Sequence, residues 1–489
     1  MIKRLFQGIS ANLLGQIINL ASRVLLVPLY LLAWGADLYG EWLLLSSMVA
    51  YLSLTDLGGA QYIANRLTQA YAQRDDDLFR KLLHTGLALF IAIPLVVLVM
   101  FIAVISCLNP GALLQITQTG HRTVVLVLAL MAFQMALSLP QGILLRVYFA
   151  VELLPRGVML LNCMQLMSLL LVAGGLWLGG GMAAIALLQI IPYGIIAAAA
   201  LYDLNRRFPQ FQVLSLRQAD FSVGRGFLKP SLHFFLIQIS QAFSAQGLVL
   251  IVGMALGPFQ VVLFSTMRTM VNLIRSFFEQ ISHAAWPEMT RLDAQQEPDK
   301  FRLLFRAILR STLMAALIFI IVLHFWGGYI YQFWLRKTVP FEQPVLDLFL
   351  IYMGQFIFWL TCSHPLLATN RHQTLSRMLF IASSLTLGLA YLGGRQWGLP
   401  GTVLALIAGD LLLPFWFVPY LLRGYQPGFS WRFFAGELTP YLGGLVSLAI
   451  LPWLAPLVLP LLLVWWWRAL AGCLPGLEHW RRLKKLVQL

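Results

Sequence analysis

The chain has little charge, little cysteine and no Walker A motif for nucleotide binding. Of its 489 residues, 11% are Asp, Glu, Lys or Arg, whereas about a quarter are charged in an average soluble domain. The four cysteines, Cys107, Cys163, Cys362 and Cys473, form no CxxC motif and have no histidines at metal-site spacing. These absences exclude a soluble domain and an ATPase motor, and they predict no disulfide, no metal and no cofactor.

The chain is instead rich in long hydrophobic segments. Hydrophobic residues make up 60% of it, and apolar runs of about 20 residues, enough for a membrane-spanning helix, recur throughout. The fold class predicted is an all-α polytopic membrane protein. The expected helices are 9–33, 41–66, 82–107, 123–149, 157–178, 182–204, 228–255, 261–286, 303–327, 345–368, 376–394 and 400–422. The proline-broken region 438–472 has room for two more, so we expect 14 transmembrane helices, with 12 as the alternative.

The basic side chains are distributed unevenly between the two ends of these helices. With a cytoplasmic N-terminus, 27 of the 34 Lys and Arg residues lie at cytoplasmic ends, 4 on the other side and 3 inside the membrane. The positive-inside rule therefore favours both termini in the cytoplasm. It also explains the net charge of +15 without a nucleic-acid partner. We interpret the segment after Lys3 and Arg4 as a membrane helix rather than a cleaved signal peptide.

Short matches between the two halves indicate an internal repeat. Asp77–Arg80 matches Asp299–Arg302, and Ser46–Met48 matches Ser265–Met267 at nearly the same separation along the chain. Six helices per repeat return the chain to the same side, which predicts two six-helix lobes related by a pseudo-two-fold axis along the membrane normal. The expected segments are an N-lobe at 1–204, a cytoplasmic connector at 205–227, a C-lobe at 228–423, a C-terminal helical hairpin at 424–474 and a basic amphipathic tail at 475–489.

Three arginines lie deep inside apolar segments, and each belongs to a polar stripe at helical spacing. The first stripe is Asn12, Gln16, Asn19 and Arg23, and the second is Arg268, Asn272, Arg275, Glu279 and Ser282. Steps of three and four residues place each stripe on one face of a helix. A charge in hydrocarbon costs at least about 2.5–3.5 kcal/mol, so it normally faces water or a partner. The stripes predict a water-filled, cationic cavity.

The chemistry of the stripes suggests an anionic ligand, since guanidinium groups bind phosphate or pyrophosphate through paired hydrogen bonds. The residues expected to bind substrate are Arg23, Arg268, Arg275, Asn19, Gln16 and Asn272. The alternative is structural pairing of Arg23 with Asp56 and of Arg275 with Glu279. The candidates for gating or ion coupling are Asp56, Glu279 and His283. Side chains that either bind sugar hydroxyls or only join helices are Gln134, Ser138, Gln141, Gln238 and Gln241.

Several segments carry a resemblance to a known family. They are the polar first helix through Arg23, the turn Trp34–Gly40, the helix end Leu54–Gly58 and the later Gly398–Gly401. From its start to about Arg423 the chain resembles the Wzx-type polysaccharide flippases of the MOP superfamily. The resemblance implies a protein of the bacterial inner membrane, not an enzyme, that flips an undecaprenyl-diphosphate-linked glycan such as an O-antigen unit of lipopolysaccharide by alternating access. The partners implied besides membrane lipids are a polysaccharide polymerase and a chain-length regulator.

Three alternatives stay open. MurJ-type lipid II flippases are similar, suit 14 helices better, and line their cavity with arginines on the first and eighth helices, which Arg23 and Arg268 would match. MATE-like multidrug antiporters share the fold but export cations and need acidic cavity residues. A membrane glycan polymerase or ligase typically needs a large outer loop, whereas the longest outer loop expected here, at about 328–344, is short.

Overall fold

The computed structural model is built almost wholly of helices. It describes residues 2–56, 59–108, 110–213, 215, 219–220, 235–369, 373–425, 428–450 and 464. The helices are α1 (Ile2–Ala50), α2 (Gly59–Ala72), α3 (Asp76–Cys107), α4 (Pro110–Leu113), α5 (His121–Ala150), α6 (Leu154–Trp177), α7 (Met182–Arg207), α8 (Phe235–Leu256), α9 (Pro258–Ala294), α10 (Pro298–Trp334), α11 (Gln343–Ala368), α12 (Gln373–Leu412), α13 (Pro414–Tyr425) and α14 (Trp431–Ile450). Nine helical stretches within these residues are long and apolar enough to cross a membrane. The predicted all-α polytopic membrane fold is confirmed.

The first two predicted helices form one element, α1, which bends at Gly35. Gly35 has φ 74° and ψ 178°, a conformation that only glycine adopts without strain. The prediction of an unbroken helix over 41–66 was wrong at its inner half. The helix ends at Ala50, a 3-10 turn covers Tyr51–Asp56, and α2 begins at Gly59. Asp56 Oδ1 accepts a hydrogen bond from the Ala60 backbone N–H at 2.9 Å, so this carboxylate caps α2 instead of lying within a helix.

Left-handed backbone positions recur at the spacing of the sequence repeat. Four pairs of residues with positive φ share a nearly constant separation along the chain, namely Gly35 with Gly257, Arg74 with Gln296, Gln115 with Lys337, and Gly179 with Gly398. The hydrogen bonds beside the second pair also match. Asp75 N donates to Ala70 O at 3.0 Å, and Glu297 N donates to Leu292 O at 3.1 Å. Both bonds close the same helix-ending motif, so the repeat extends from short sequence matches to the backbone of the turns.

The chain divides into two compact units, which we call unit 1 (Met1–Phe264 and Trp334–Val339) and unit 2 (Ser265–Phe333 and Pro340–Leu489). Unit 1 has an apolar core formed by α2, α3, α5 and the end of α7. The described start of the predicted connector packs on this core. The Phe211 ring stacks on Phe79 at 4.0 Å, and His84 Nε2 lies 3.0 Å from the Gln212 carbonyl oxygen. The predicted lobe boundaries at 204 and 228 stay a prediction.

In unit 2, α14 is fixed against α10 and α11. Glu437 is 6% exposed; it accepts a hydrogen bond from Arg310 Nη2 at 3.1 Å and lies 3.0 Å from Arg306 Nε. Tyr441 occupies the space beside Gly354, where an added Cβ would lie 3.0 Å from its ring. Helix α14 lies within the segment expected to form the C-terminal hairpin, and the hairpin itself stays a prediction. The rest of that hairpin, apart from residue 464, and the tail at 475–489 lie outside the described residues.

Candidate functional site

A polar cavity opens in unit 1 beside the first intramembrane arginine. It has a volume of about 180 Å³, several times the roughly 30 Å³ that one water occupies in the liquid. Its polar lining comes from α1, α6 and α7, and consists of Asn19, Ser22, Arg23, Gln165, Ser168 and Tyr193. Gln16, Asn19 and Arg23 are all exposed in this structure. The first predicted stripe therefore supplies two of the cavity's polar groups, Asn19 and Arg23.

Pro28 removes one backbone hydrogen bond of α1 close to Arg23. Pro28 has no N–H, so the carbonyl oxygen of Val24, four residues earlier, lacks its usual helical donor. Trp334, which belongs to unit 1, replaces that donor: its Nε1 donates to Val24 O at 2.7 Å. A helix position one residue from the arginine is thus held by a side chain 310 residues away, a link that no local sequence pattern reveals.

The cavity contains an unsatisfied polar atom. Gln165 Oε1 on α6 is buried and has no hydrogen-bond partner among the described residues. The Ser22 hydroxyl donates to Ile18 O at 2.9 Å, and Tyr193 is hydrogen-bonded to Gln134. A buried acceptor without a protein partner can take its donor from the cavity, so Gln165 suits a binding site. Gln165 was not singled out from the sequence, although Asn162 and Gln165, three residues apart in an apolar helix, are a usable signal.

The gating candidate of unit 1 has a different neighbour from the one considered. Asp56 lies within electrostatic range of Arg146 on α5, whereas the sequence alternative paired it with Arg23. A second acid, Glu41, is fully buried, and its carboxylate accepts hydrogen bonds from Thr117 N at 2.8 Å and Gln118 N at 2.7 Å. Glu41 therefore secures the loop before α5, and its role is structural.

In unit 2 the two predicted arginines meet an aromatic face. Arg268 and Arg275 are half-buried and two helical turns apart on α9, which puts them on one side of the helix. The Arg275 guanidinium lies 4.4 Å from the centroid of the Phe356 ring on α11, within cation–π range. Tyr352, one turn before Phe356, lies within electrostatic range of both arginines. Asn272, between the two arginines, is also half-buried.

A buried carboxylate, which was not singled out from the sequence, is bonded to the same aromatic face. Asp410 on α12 is 9% exposed, and its Oδ2 accepts a hydrogen bond from Trp359 Nε1 at 2.8 Å. The Trp359 and Phe356 rings are 4.8 Å apart. Asp410 lies within an apolar run of the sequence, and an acid within a membrane helix is by itself a signal for function.

Further candidates lie on α9, α1 and α5. The side chains of Glu279, Ser282 and His283 fall outside the described residues, as does that of Asn12. Gln141, weighed as a sugar ligand or a helix link, is buried with its Nε2 3.1 Å from Met164 Sδ, and thus joins α5 to α6. Ion coupling by Glu279 and His283 stays a prediction.

Solved structures decide the fold family. The chain matches an inward-facing multidrug resistance MATE family transporter of the MOP superfamily with TM-score 0.67 and 12% identity, over 84% of this chain and 95% of that one. It also matches the lipid II flippase MurJ, in an inward closed conformation, with TM-score 0.64 and 13% identity, over 99% and 100%. The fold is that of the MOP-superfamily transporters.

A third solved structure has the same fold. It is a MOP superfamily transporter from Pyrococcus furiosus Vc1, described by a reverse polarity of its binding pocket that suggests a different function, and matched with TM-score 0.54 and 12% identity over 86% of this chain and 94% of that one. No family model matches the sequence, and no curated protein matches it. At these identities the likeness to MOP structures concerns the fold alone.

Proposed function

We propose that the protein is a flippase that moves an undecaprenyl-diphosphate-linked oligosaccharide from the cytoplasmic to the periplasmic leaflet of the bacterial inner membrane. The observation that carries the proposal is the positive charge of the arginines that each unit has within its membrane helices. Arg23 lines the cavity of unit 1, and Arg268 and Arg275 share one side of α9 in unit 2. The transport cycle is alternating access through a cationic cavity.

A diphosphate suits these arginines on chemical grounds. Guanidinium stays charged at every physiological pH and binds phosphate oxygens through two parallel N–H donors. Such charge-assisted hydrogen bonds contribute about 1.5–3 kcal/mol each, and they strengthen as surrounding water is displaced. A cationic drug would be repelled by the same side chains. A MATE-like multidrug antiporter is therefore the weaker candidate. A membrane glycan polymerase or ligase is weaker still, because the longest outer loop expected is short.

The cavity of unit 1 also suits a sugar. Asn19 and Gln165 offer amides, Ser168 and Tyr193 offer hydroxyls, and Leu169 supplies apolar surface. Sugar hydroxyls both donate and accept hydrogen bonds, so they match such a mixed lining, and one of them would satisfy Gln165 Oε1. We assign the diphosphate to the arginines and a sugar unit to the amides. The partners proposed are the lipid-linked glycan and membrane lipids, with a polysaccharide polymerase and a chain-length regulator acting on the product.

A MurJ-type lipid II flippase is the second candidate, and one observation favours it. The MurJ match covers 99% of this chain, whereas the MATE matches cover 84–86%. Helix α14 lies beyond residue 423, where the resemblance to Wzx-type proteins ends. Lipid II is itself a lipid-linked diphosphate sugar, so the arginines play the same part in both candidates, and only the glycan differs.

The proposal is tested by locating the lipid-linked glycan in spheroplasts of a host without its own flippase. Arg23→Gln and Arg275→Gln are expected to trap the glycan on the cytoplasmic leaflet, beyond reach of an added lectin. Arg395→Gln is the matched control, because Arg395 is exposed and its guanidinium lies 5.5 Å from the centroid of the Tyr391 ring. Wild-type export by both arginine variants at equal protein level would show that the cationic-cavity proposal is wrong. A growth assay distinguishes the two candidates. A lipid II flippase should restore growth to a host depleted of its own, whereas a flippase for another lipid-linked glycan should not.

A further inference from the structure

Asp410 lies in α12 with only part of its hydrogen-bonding capacity used. A carboxylate can accept about four hydrogen bonds, and among the described residues Trp359 Nε1 is the donor it has, at 2.8 Å. Burying an ionised carboxylate is costly unless an opposite charge compensates it. A nearby cationic group would offset that cost, and unit 2 provides one.

The candidate partner is reached through two aromatic rings. Trp359 holds Asp410, the Trp359 and Phe356 rings are 4.8 Å apart, and the Arg275 guanidinium lies 4.4 Å from the Phe356 centroid. Asp410 and Arg275 are within electrostatic range of each other, and Tyr352 is within range of both. Carboxylate and guanidinium thus stand at the two ends of one aromatic face on α11.

We propose that Asp410 is the internal counter-ion of Arg275, and that it sets how tightly the site holds the diphosphate of the cargo. This inference rests on the proposed function. In the empty site the carboxylate offsets the positive charge of Arg275. When a diphosphate arrives, it competes with Asp410 for that charge, so binding is weaker than two arginines alone would give. The weaker binding allows release on the far side of the membrane, as transport requires.

The competing explanation is that Asp410 only anchors Trp359 and so joins α11 to α12. Asp410→Asn separates the two roles, because the amide oxygen still accepts from Trp359 Nε1 while the negative charge is gone. Trp359→Phe does the opposite, since it removes the donor and keeps the charge. A structural anchor would respond to Trp359→Phe, whereas a counter-ion responds to Asp410→Asn.

The test measures binding of radiolabelled farnesyl diphosphate to the full-length protein in nanodiscs. Asp410→Asn is expected to lower the Kd by roughly tenfold, as removal of one nearby like charge from an anion site predicts. In an Arg275→Gln background the same change should alter the Kd by less than about twofold, because coupled sites lose their mutual effect when one is removed. Asp347→Asn is the control; that acid is on α11 and pairs with His324 at 2.8 Å.

Each outcome has one meaning. If the wild-type protein binds no farnesyl diphosphate, the proposed function fails. If it binds and Asp410→Asn leaves the Kd unchanged or raises it, the counter-ion role is overturned while the proposed function stands. A lower Kd in Trp359→Phe, with Asp410→Asn unchanged, would assign the effect to helix anchoring instead. Displacement by inorganic pyrophosphate, but not by phosphatidylglycerol vesicles, identifies the diphosphate rather than a lipid headgroup as the group bound.

Discussion

Gly40 on α1 lies directly against the backbone of Pro258, the first residue of α9. A Cβ added at Gly40 would lie 2.6 Å from the Pro258 carbonyl carbon and closer still to its oxygen. These residues follow the glycine turns at Gly35 and Gly257, which occupy matching positions in the two repeats and share a positive φ. The contact therefore fixes the start of α9 against α1 within unit 1, and it leaves no room for a side chain.

Gly40→Ala is expected to destabilise the protein by roughly 1–3 kcal/mol, because the obstacle is backbone and cannot rotate away. Gly142→Ala on α5 is the matched control, since a Cβ there meets nothing within 4 Å; it should be neutral or stabilise by up to about 1 kcal/mol. The measurement is the thermal unfolding midpoint of the purified protein in detergent. Equal midpoints for the two variants would contradict the close approach.

Trp334→Phe should destabilise the region around Arg23. The substitution leaves Val24 O without a donor, because Pro28 cannot supply one. This carbonyl is part-buried, so its loss should cost less than the roughly 1–3 kcal/mol of a fully buried group. Hydrogen–deuterium exchange should then increase in α1 near Pro28. The double variant Pro28→Ala/Trp334→Phe should recover protection, because an alanine at that position restores the helical N–H. Failure of that rescue would mean that Trp334 acts by packing alone.

Much of this architecture could be predicted from local patterns in the sequence. Apolar run length identified the membrane helices, and the spacing of Arg268 and Arg275 placed both on one side of α9. The break at Asp56 was missed because leucines continue through it at Leu52, Leu54 and Leu57, so that the Gly58-Gly59 pair is its main signal. Asp410 could be flagged as an intramembrane acid, but its bond to Trp359 joins residues 51 apart, a tertiary contact that no period encodes.

Gln165→Leu should separate stability from transport. Removing a buried oxygen that has no partner among the described residues is expected to raise the free energy of unfolding by about 1 kcal/mol. Transport of the sugar-bearing cargo should fall severalfold, because the cavity loses the acceptor proposed for a sugar hydroxyl. Thermal unfolding and the spheroplast assay measure the two effects on the same variant. A variant that is both less stable and fully active would contradict this role.

Glu437→Gln should loosen α14 from unit 2. Glu437 is 6% exposed and bound by Arg306 and Arg310. Because the two arginines left behind are 38% and 21% exposed, the loss should stay below the roughly 3–5 kcal/mol of a fully buried pair. Glu297→Gln provides the surface comparison, since its pair with Lys300 at 3.0 Å is exposed and such pairs contribute up to about 1 kcal/mol. Limited proteolysis of the segment before α14 should accelerate in the first variant alone.

The most direct test of the account is transport by the purified protein in liposomes. A fluorescent undecaprenyl-diphosphate oligosaccharide is placed in the inner leaflet, and its arrival outside is followed with a membrane-impermeant quencher. We expect transport by the wild type, rates about tenfold or more lower for Arg23→Gln and for Arg275→Gln, and a wild-type rate for Arg395→Gln. Wild-type rates in both arginine variants, with unchanged unfolding midpoints, would contradict the proposed role of these arginines.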